Sequence, residues 1–276
     1  MYVLVSPCLL DPSLRAEGIT KESDLRAFGA ALERCRRFGI EVVPLPCPET
    51  AYLGRGRAPG TYVERLDTPA FADVLDRMEE EVLAVVEKRG PPLCIVGVDS
   101  SPCCGVNTTW HDEKRDGRGA FLARFPGIRA VDVLEFARYR VYFAAPLFSE
   151  AEQDFNKKVR DILEEAYYDI YLPQEVGDTD ATRARSSQRE IFRRHVAALG
   201  EVDAVVAVVD GADADSGTAW EMGYAHARGI PVIALRTDFR RAGHNEHVNL
   251  MLEESSTVVT AVEEIVPALE QAFRRG

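Results

Sequence analysis

The chain has 276 residues, of which 46% are hydrophobic and 28% charged, and its formal net charge is −12. This is the composition of a soluble globular protein, long enough for two domains. The acidic balance excludes a nucleic-acid polymer as the expected partner, because its phosphate backbone would be repelled. No apolar run reaches the ~18 residues that span a bilayer, and no basic segment marks a signal peptide. We therefore expect no membrane partner and a cytoplasmic location.

The hydrophobic pattern of the first half alternates between strands and helices. Strands are predicted at residues 2–6, 41–44 and 93–98, and helices around residues 25–35 and over residues 71–89. The segments 51–68 and 112–119 have the composition of loops. A parallel sheet covered by helices is the architecture that this alternation favours.

A second alternating series begins near residue 140. Strands are predicted at residues 141–145, 204–209 and 231–235, and helices at residues 150–168, 188–199, 218–228 and 262–273. The sequence thus predicts an α/β protein of two domains, residues 1–137 and 138–276, each built on a parallel sheet. Ligands of such sheets bind beyond the carboxyl ends of the strands, so the functional side chains are expected there.

One strand of the second half is followed by a polar loop and by a helix that contains Glu221. A carboxylate near a helix start lies close to free backbone N–H groups and the positive end of the helix dipole, which keeps it ionised. A purely structural alternative also exists, because Thr218 and Glu221 fit a capping box.

Three motifs of the second half give the function of this region. They are DSGTAWEMGYA at 215–225, VYFAAPLF at 141–148 and VNLM at 248–251. Together, and in their order along the chain, they resemble the nucleoside 2-deoxyribosyltransferase family, and they cover nearly all of residues 140–276. The resemblance implies a flavodoxin-like fold, a small nucleoside or nucleobase as the ligand, and no cofactor in this half.

The resemblance also implies roles for individual residues. Glu221 would be the nucleophile that forms a covalent glycosyl intermediate, and Tyr142 would support it. Asp215 would give a proton to the leaving base, although it fits a helix N-cap equally well. The neighbouring Ser216 and Gly217 are candidate substrate contacts.

Further candidates lie outside the nucleophile's own helix. Asn249 would contact the sugar and Met251 would pack on the ligand in a neighbouring subunit's site, which implies a homo-oligomer. Position 195 departs from the family, which usually has an aspartate there. His195, if it faces the site, would contact the base and titrate near neutral pH.

Three cysteine motifs of the first half each follow a predicted strand. They are SPCLLD with Cys8, CPE with Cys47 and SPCCG with Cys104. Parallel strands would bring the three thiols to one edge of the sheet. The set, with the later segment DGRGAF, resembles the thiouracil-desulfurase family from about residue 2 to residue 121.

That resemblance implies an oxygen-sensitive [4Fe–4S] cluster held by Cys8, Cys47 and Cys104, with one iron open to the sulfur of a thiolated base. Glu49 and Ser101 are then proton carriers or substrate contacts. The alternative is that these are ordinary small buried residues, which we adopt for Cys35 and Cys94 on apolar faces.

The sequence as a whole predicts a nucleobase-salvage enzyme. Its second half would cleave or transfer the N-glycosidic bond of deoxynucleosides, and its first half would remove sulfur from thiolated bases. Two alternatives stay open for the second half: a hydrolase that uses water as the acceptor, and a nucleotide-sensing module without catalysis.

Overall fold

The computed structural model describes residues 1–176, 185–240 and 246–275. The chain divides into two compact units, Met1–Arg138 and Tyr139–Gly276. Each unit has its own parallel sheet and its own cluster of buried apolar side chains.

The first unit contains six strands and five α-helices among its described residues. The strands are β1 (Tyr2–Val5), β2 (Glu41–Pro44), β3 (Ile95–Gly97), β4 (Thr108–Trp110), β5 (Lys114–Asp116) and β6 (Ala130–Asp132). The helices are α1 (Glu22–Arg37), α2 (Pro48–Leu53), α3 (Tyr62–Arg65), α4 (Pro69–Arg89) and α5 (Val133–Phe136).

The main sheet of this unit has the strand order β2-β1-β3-β6, and every pair in it is parallel. The carboxyl ends of β1, β2 and β3 therefore lie at the same edge. The expectation of a plain loop over residues 112–119 is wrong, because β4 and β5 form an antiparallel hairpin there. All three residues of β5 are exposed, so no apolar alternation in the sequence marked it.

The second unit contains five strands and six α-helices among its described residues. The strands are β7 (Arg140–Ala144), β8 (Asp169–Tyr171), β9 (Ala204–Val208), β10 (Val232–Leu235) and β11 (Thr257–Val259). The helices are α6 (Glu150–Glu165), α7 (Pro173–Val176), α8 (Arg185–Leu199), α9 (Ser216–Ala227), α10 (Leu250–Glu253) and α11 (Ile265–Arg275).

The sheet of this unit has the order β11-β10-β9-β7-β8, again with every pair parallel. Counted along the chain from β7, this is the 2-1-3-4-5 order of flavodoxin-like folds. The predicted α/β class with helix-covered parallel sheets is therefore confirmed. β9 is buried at all five positions, as expected for a central strand covered on both faces. The carboxyl ends of β7 and β9 are adjacent, and the candidate site of this unit lies there.

Candidate functional site

The centre of the candidate site in the second unit is a contact between Tyr142 and Glu221. Tyr142 is the third residue of β7 and has no exposed surface. Its hydroxyl donates a short hydrogen bond to Oε1 of Glu221, across 79 residues of chain. The structure thus brings together the two residues that the sequence assigned to nucleophile and support.

Helix α9 begins earlier than predicted, and this changes the position of Glu221. Asp215 is the N-cap, and its Oδ2 accepts hydrogen bonds from the backbone N–H groups of Gly217 at 2.9 Å and Thr218 at 3.0 Å. Glu221 is consequently the sixth helical residue and lies in the second turn. The capping box of Thr218 and Glu221 does not form, because Asp215 already occupies the cap.

The electrostatic environment of Glu221 differs from the one expected at a helix start. Burial raises the pKa of its carboxyl to about 7, the Tyr142 hydrogen bond opposes this rise, and the charge of Asp215 adds to it. Desolvation disfavours the ionised form more than the distant helix end favours it. Glu221 therefore exchanges its proton near neutral pH instead of being fully ionised there.

The side chain of Tyr171 lies against Tyr142, and that of His195 lies next to Tyr171. Tyr171, the last residue of β8, stacks on Tyr142 with 5.2 Å between ring centroids and 17° between planes. Its hydroxyl lies 3.0 Å from Nδ1 of His195 on α8. Tyr171 was missed by the sequence reasoning, because β8 is a short edge strand without an apolar run.

His195 is half-buried, and its burial followed by the charge of Arg194 lowers its pKa below the usual value. The side chain is therefore neutral at neutral pH. Burial moves the pKa values of His195 and Glu221 in opposite directions, so we expect an ionisation near pH 7 from Glu221 rather than from His195.

The remaining candidates of this unit lie on the surface. Ser216 and Gly217 are exposed in the first turn of α9. Asn249 caps α10 through its side-chain oxygen, which accepts from the Met251 N–H at 3.0 Å. Met251 is 75% exposed, so its apolar side chain is accessible to a second molecule.

In the first unit, one cavity of about 710 Å³ collects the residues that the three cysteine motifs singled out. Cys8, Cys47 and Cys104 follow β1, β2 and β3, and all three line it. Glu49 and Ser101 line it as well. The three cysteine motifs therefore lie together at one edge of the sheet, as the sequence predicted.

A hydrogen-bonded group lies at the wall of this cavity. Ser101 Oγ donates to Glu49 Oε1 at 3.3 Å, and Glu49 Oε2 accepts from Arg57 Nη2 at 3.0 Å. Arg57 is only 7% exposed, and nothing in its irregular Gly- and Pro-containing loop marked it as functional. The sequence does not indicate the ion pair of Glu49 and Arg57, because only the fold brings the two side chains together.

Two thiols of this cavity, those of Cys8 and Cys104, favour their protonated forms. Burial raises the pKa of Cys8 to about 12, and it raises the pKa of Cys104 well above its usual value. The charges of Cys47 and Glu49 add to the rise in pKa at both cysteines, and the charge of Cys8 adds to the rise at Cys104. The buried Ser6 hydroxyl makes no hydrogen bond at ordinary distance within the described chain, and it lies near enough to Cys104 to favour a thiolate there.

No disulfide joins the six cysteines, and Cys35 and Cys94 are buried as predicted. Within residues 1–176, 185–240 and 246–275, no group of three or more histidine, cysteine, aspartate or glutamate side chains is arranged to hold a single metal ion. In the same ranges, no helix has the length and apolarity needed to cross a membrane.

The fold of the second unit defines a class, which is a flavodoxin-like α/β unit, and here the helix after a central strand carries a half-buried glutamate in contact with a tyrosine. Residues 141–260 match the sequence model of the nucleoside 2-deoxyribosyltransferase family. The match lies entirely within the second unit.

Individual relatives cover about half of the chain. An uncharacterized protein of Methanocaldococcus jannaschii is 22% identical over 160 residues, which are 57% of this chain and 91% of that protein. The crystal structure of a conserved protein from Enterococcus faecalis is similar with a TM-score of 0.43 and 29% identity, over 49% of this chain and 98% of that one. A 2-deoxyribosyltransferase from Bacillus psychrosaccharolyticus is similar with a TM-score of 0.41 and 20% identity, over 46% of this chain and 89% of that one.

Proposed function

We propose that the second unit cleaves or transfers the N-glycosidic bond of deoxynucleosides, with Glu221 as the nucleophile. The hydrogen bond between Tyr142 and Glu221 carries this proposal, because it holds a half-buried carboxylate at the carboxyl edge of the sheet. The family match of residues 141–260 supports the same chemistry.

The reaction follows from this geometry. Departure of the base leaves positive charge at the anomeric carbon, and a carboxylate stabilises that charge before it forms a covalent glycosyl ester. Tyr142 occupies Oε1, so we assign Oε2 of Glu221 as the oxygen that bonds to the sugar. Asp215, whose cap hydrogen bonds end on Oδ2, would give its proton to the base through Oδ1. A second base, or water, then attacks the anomeric carbon, gives its proton to the Asp215 carboxylate and releases Glu221.

The same proposal assigns the substrate contacts. His195 uses Nδ1 for the Tyr171 hydroxyl, which leaves Nε2 for the base. Ser216 and Gly217 border the cap of α9 and would contact the sugar. The exposed Asn249 and Met251 would complete the site of a neighbouring subunit, so the active form would be a homo-oligomer.

The test of the nucleophile is the variant Glu221→Ala. Loss of the attacking carboxylate should reduce base release by about 10³-fold or more, with circular dichroism unchanged. Turnover is measured by chromatography of deoxynucleosides with and without an added acceptor base. Release only with the acceptor indicates transfer, release without it indicates hydrolysis, and binding without release indicates a sensor. Activity of the variant within about tenfold of wild type would contradict the assignment of Glu221.

We further propose that Cys8, Cys47 and Cys104 hold a [4Fe–4S] cluster in the first unit. Three thiols that line one cavity at the ends of three adjacent strands fit such a group. Each thiolate of a cluster binds a different iron, so the sulfurs need not crowd around one point as they do for a single ion. The unsatisfied Ser6 hydroxyl beside Cys104 fits a thiolate ligand better than a neutral thiol.

When bound, the cluster would supply an open iron that takes the sulfur of a thiolated base. The residues of the chain have a separate task, which is to bind the base and move protons. Glu49 and Ser101 share a hydrogen bond and line the cavity, so a proton can pass from the serine hydroxyl to the carboxylate. Water that replaces the sulfur must lose protons, and Glu49 is placed to accept one.

Five cysteine variants test the cluster. After anaerobic reconstitution, serine at position 8, 47 or 104 should abolish the uptake of iron and acid-labile sulfide. Cys35→Ser and Cys94→Ser are matched controls that should retain it, because both thiols lie outside the cavity lining. If wild type takes up no iron without oxygen, the cluster proposal fails. If it holds iron but releases no sulfide from thiolated pyrimidines, only the substrate is wrong.

A further inference from the structure

We propose that Arg57 is the positioning residue that links Cys47 to Cys104 across the cavity of the first unit. The inference builds on the proposed function of that cavity, in which these two cysteines are ligands. It concerns the protein before any ligand binds, so it can be tested without a cluster.

Arg57 forms a buried ion pair with Glu49. Arg57 Nη2 lies 3.0 Å from Glu49 Oε2, and the two side chains are only 5% and 16% exposed. A charge so far removed from water is costly unless its partner is present, and loss of one partner leaves the other uncompensated. The pair therefore fixes the position of the Glu49 carboxylate against the loop that contains Arg57.

The guanidinium of Arg57 also contacts Thr50. Arg57 Nη1 donates to Thr50 Oγ1 at 3.2 Å and to the Gly54 carbonyl at 3.4 Å. Thr50 in turn contacts Cys47 twice, since its hydroxyl accepts from the thiol at 3.1 Å and its N–H donates to Sγ at 3.4 Å. One planar guanidinium thus holds the carboxylate and the threonine together, which a single ammonium group cannot do with the same geometry.

The chain of contacts continues to the third strand end. Ser101 Oγ donates to Glu49 Oε1 at 3.3 Å and accepts from the Cys104 N–H at 3.0 Å. An unbroken series of hydrogen bonds therefore joins two of the candidate ligands, with Arg57 near its middle. Its members are Cys47, Thr50, Arg57, Glu49, Ser101 and Cys104.

Arg57 lines the cavity, but its guanidinium is already engaged by the chain itself. Three of its hydrogen bonds go to Glu49, Thr50 and Gly54, and the residue is 7% exposed. Its action on a bound group must therefore pass through these neighbours. This is why we assign it a positioning role.

The experiment compares the full-length, iron-free protein with Arg57→Met, in a Cys8→Ser background that removes the other half-buried thiol. The readout is the rate at which Ellman's reagent modifies Cys47, identified by peptide mass spectrometry. We expect an increase of about tenfold or more, because local opening no longer breaks a buried ion pair. The matched control is Arg55→Met, which removes an exposed pair with Asp11 and should change the rate by less than about twofold.

Two more variants separate the steps of the series. Thr50→Val keeps the ion pair of Arg57 and Glu49 and the backbone N–H contact to Cys47 Sγ, but it removes the hydroxyl that joins Arg57 to the Cys47 thiol. It should therefore also increase the reactivity of Cys47. It decides the question if Arg57→Met does not fold. Arg57→Lys should give a Cys47 reactivity between those of wild type and Arg57→Met, because an ammonium carries its donors on one nitrogen and lacks the planar fork that reaches Glu49 and Thr50 together.

Iron content then relates this role to the proposed function. With Cys8 intact and after anaerobic reconstitution, Arg57→Met should bind less than about half of the iron of wild type, and Arg55→Met should bind the wild-type amount. Equal Cys47 reactivity in Arg57→Met, Thr50→Val and Arg55→Met would overturn the role of Arg57. Absence of iron in wild type would overturn the cluster alone, because the thiol measurement does not depend on it.

Discussion

At the scale of single residues, the pKa of Glu221 sets the expected pH dependence. Since burial raises this pKa to about 7, kcat/KM for base release should fall as the pH drops through that value. Tyr142→Phe removes the one contact that lowers the pKa, so the acidic limb should move to higher pH. The variant should then lose more activity at pH 6 than at pH 8.5, measured with saturating acceptor base.

Two variants serve as controls for this assignment. Tyr171→Phe keeps the stacked ring and removes only the hydroxyl, and His195→Asn removes an imidazole that is already neutral. Neither should move the acidic limb. If the acidic limb of the pH profile disappears in His195→Asn, the ionisation near pH 7 belongs to His195.

The alternation predicts β7, β9 and the helix that follows β9, whereas Tyr142 and Glu221 were singled out by the resemblance of their motifs to a known family. The cavity cysteines could be predicted from their positions after β1, β2 and β3. Arg57 and Tyr171 could not be predicted, because their importance comes from partners that are distant in the chain. The raised pKa of Glu221 was missed for a similar reason, since the sequence shows a helix start but not the burial that outweighs it.

At the scale of elements, Asp215 is the N-cap of α9 and is also the proposed proton donor, and substitutions can separate these two roles. Asparagine caps a helix about as well as aspartate, whereas alanine costs about 1 kcal/mol. Asp215→Asn should therefore keep the thermal stability of wild type, and Asp215→Ala should lower the Tm by about 3 °C. If Asp215 also protonates the leaving base, both variants should lower turnover of natural nucleosides by about 10²-fold.

A substrate that needs no proton completes this comparison. A deoxyriboside with a nitrophenolate leaving group should be cleaved at nearly the wild-type rate by Asp215→Asn. Equal loss on both substrates would show that the aspartate does not act as the acid, and would leave only its capping role.

Strands that are buried on both faces and long amphipathic helices could be predicted from the sequence. β9 and α4 lie within two residues of their predicted bounds. The short strands β6, β8 and β11 were not predicted, because three residues are too few to show a period. They are at or next to sheet edges, where tertiary contacts decide the conformation.

At the scale of the whole molecule, the exposed Asn249 and Met251 predict that sites are shared between subunits. If Asn249 serves a neighbour, Glu221→Ala and Asn249→Ala should each be inactive alone. An equal mixture that exchanges subunits should regain about a quarter of the wild-type activity, because half of the dimers then hold one intact site of two. Light scattering checks the assembly, and an active monomer or a mixture without recovery would contradict sharing.

The glycines around the loop that carries Cys104 restrict how this chain can vary by mutation. A methyl group added at Gly105 would lie 2.2 Å from the Thr108 carbonyl oxygen, and one at Gly119 would lie 2.5 Å from the Cys103 carbonyl carbon. Neither position touches a ligand through a side chain. In a library of random variants, substitutions at these glycines should nevertheless be lost under selection for the first unit as often as substitutions of the cysteines. A genetic screen would then identify the loop around Cys104 from intolerant glycines that take no part in its chemistry.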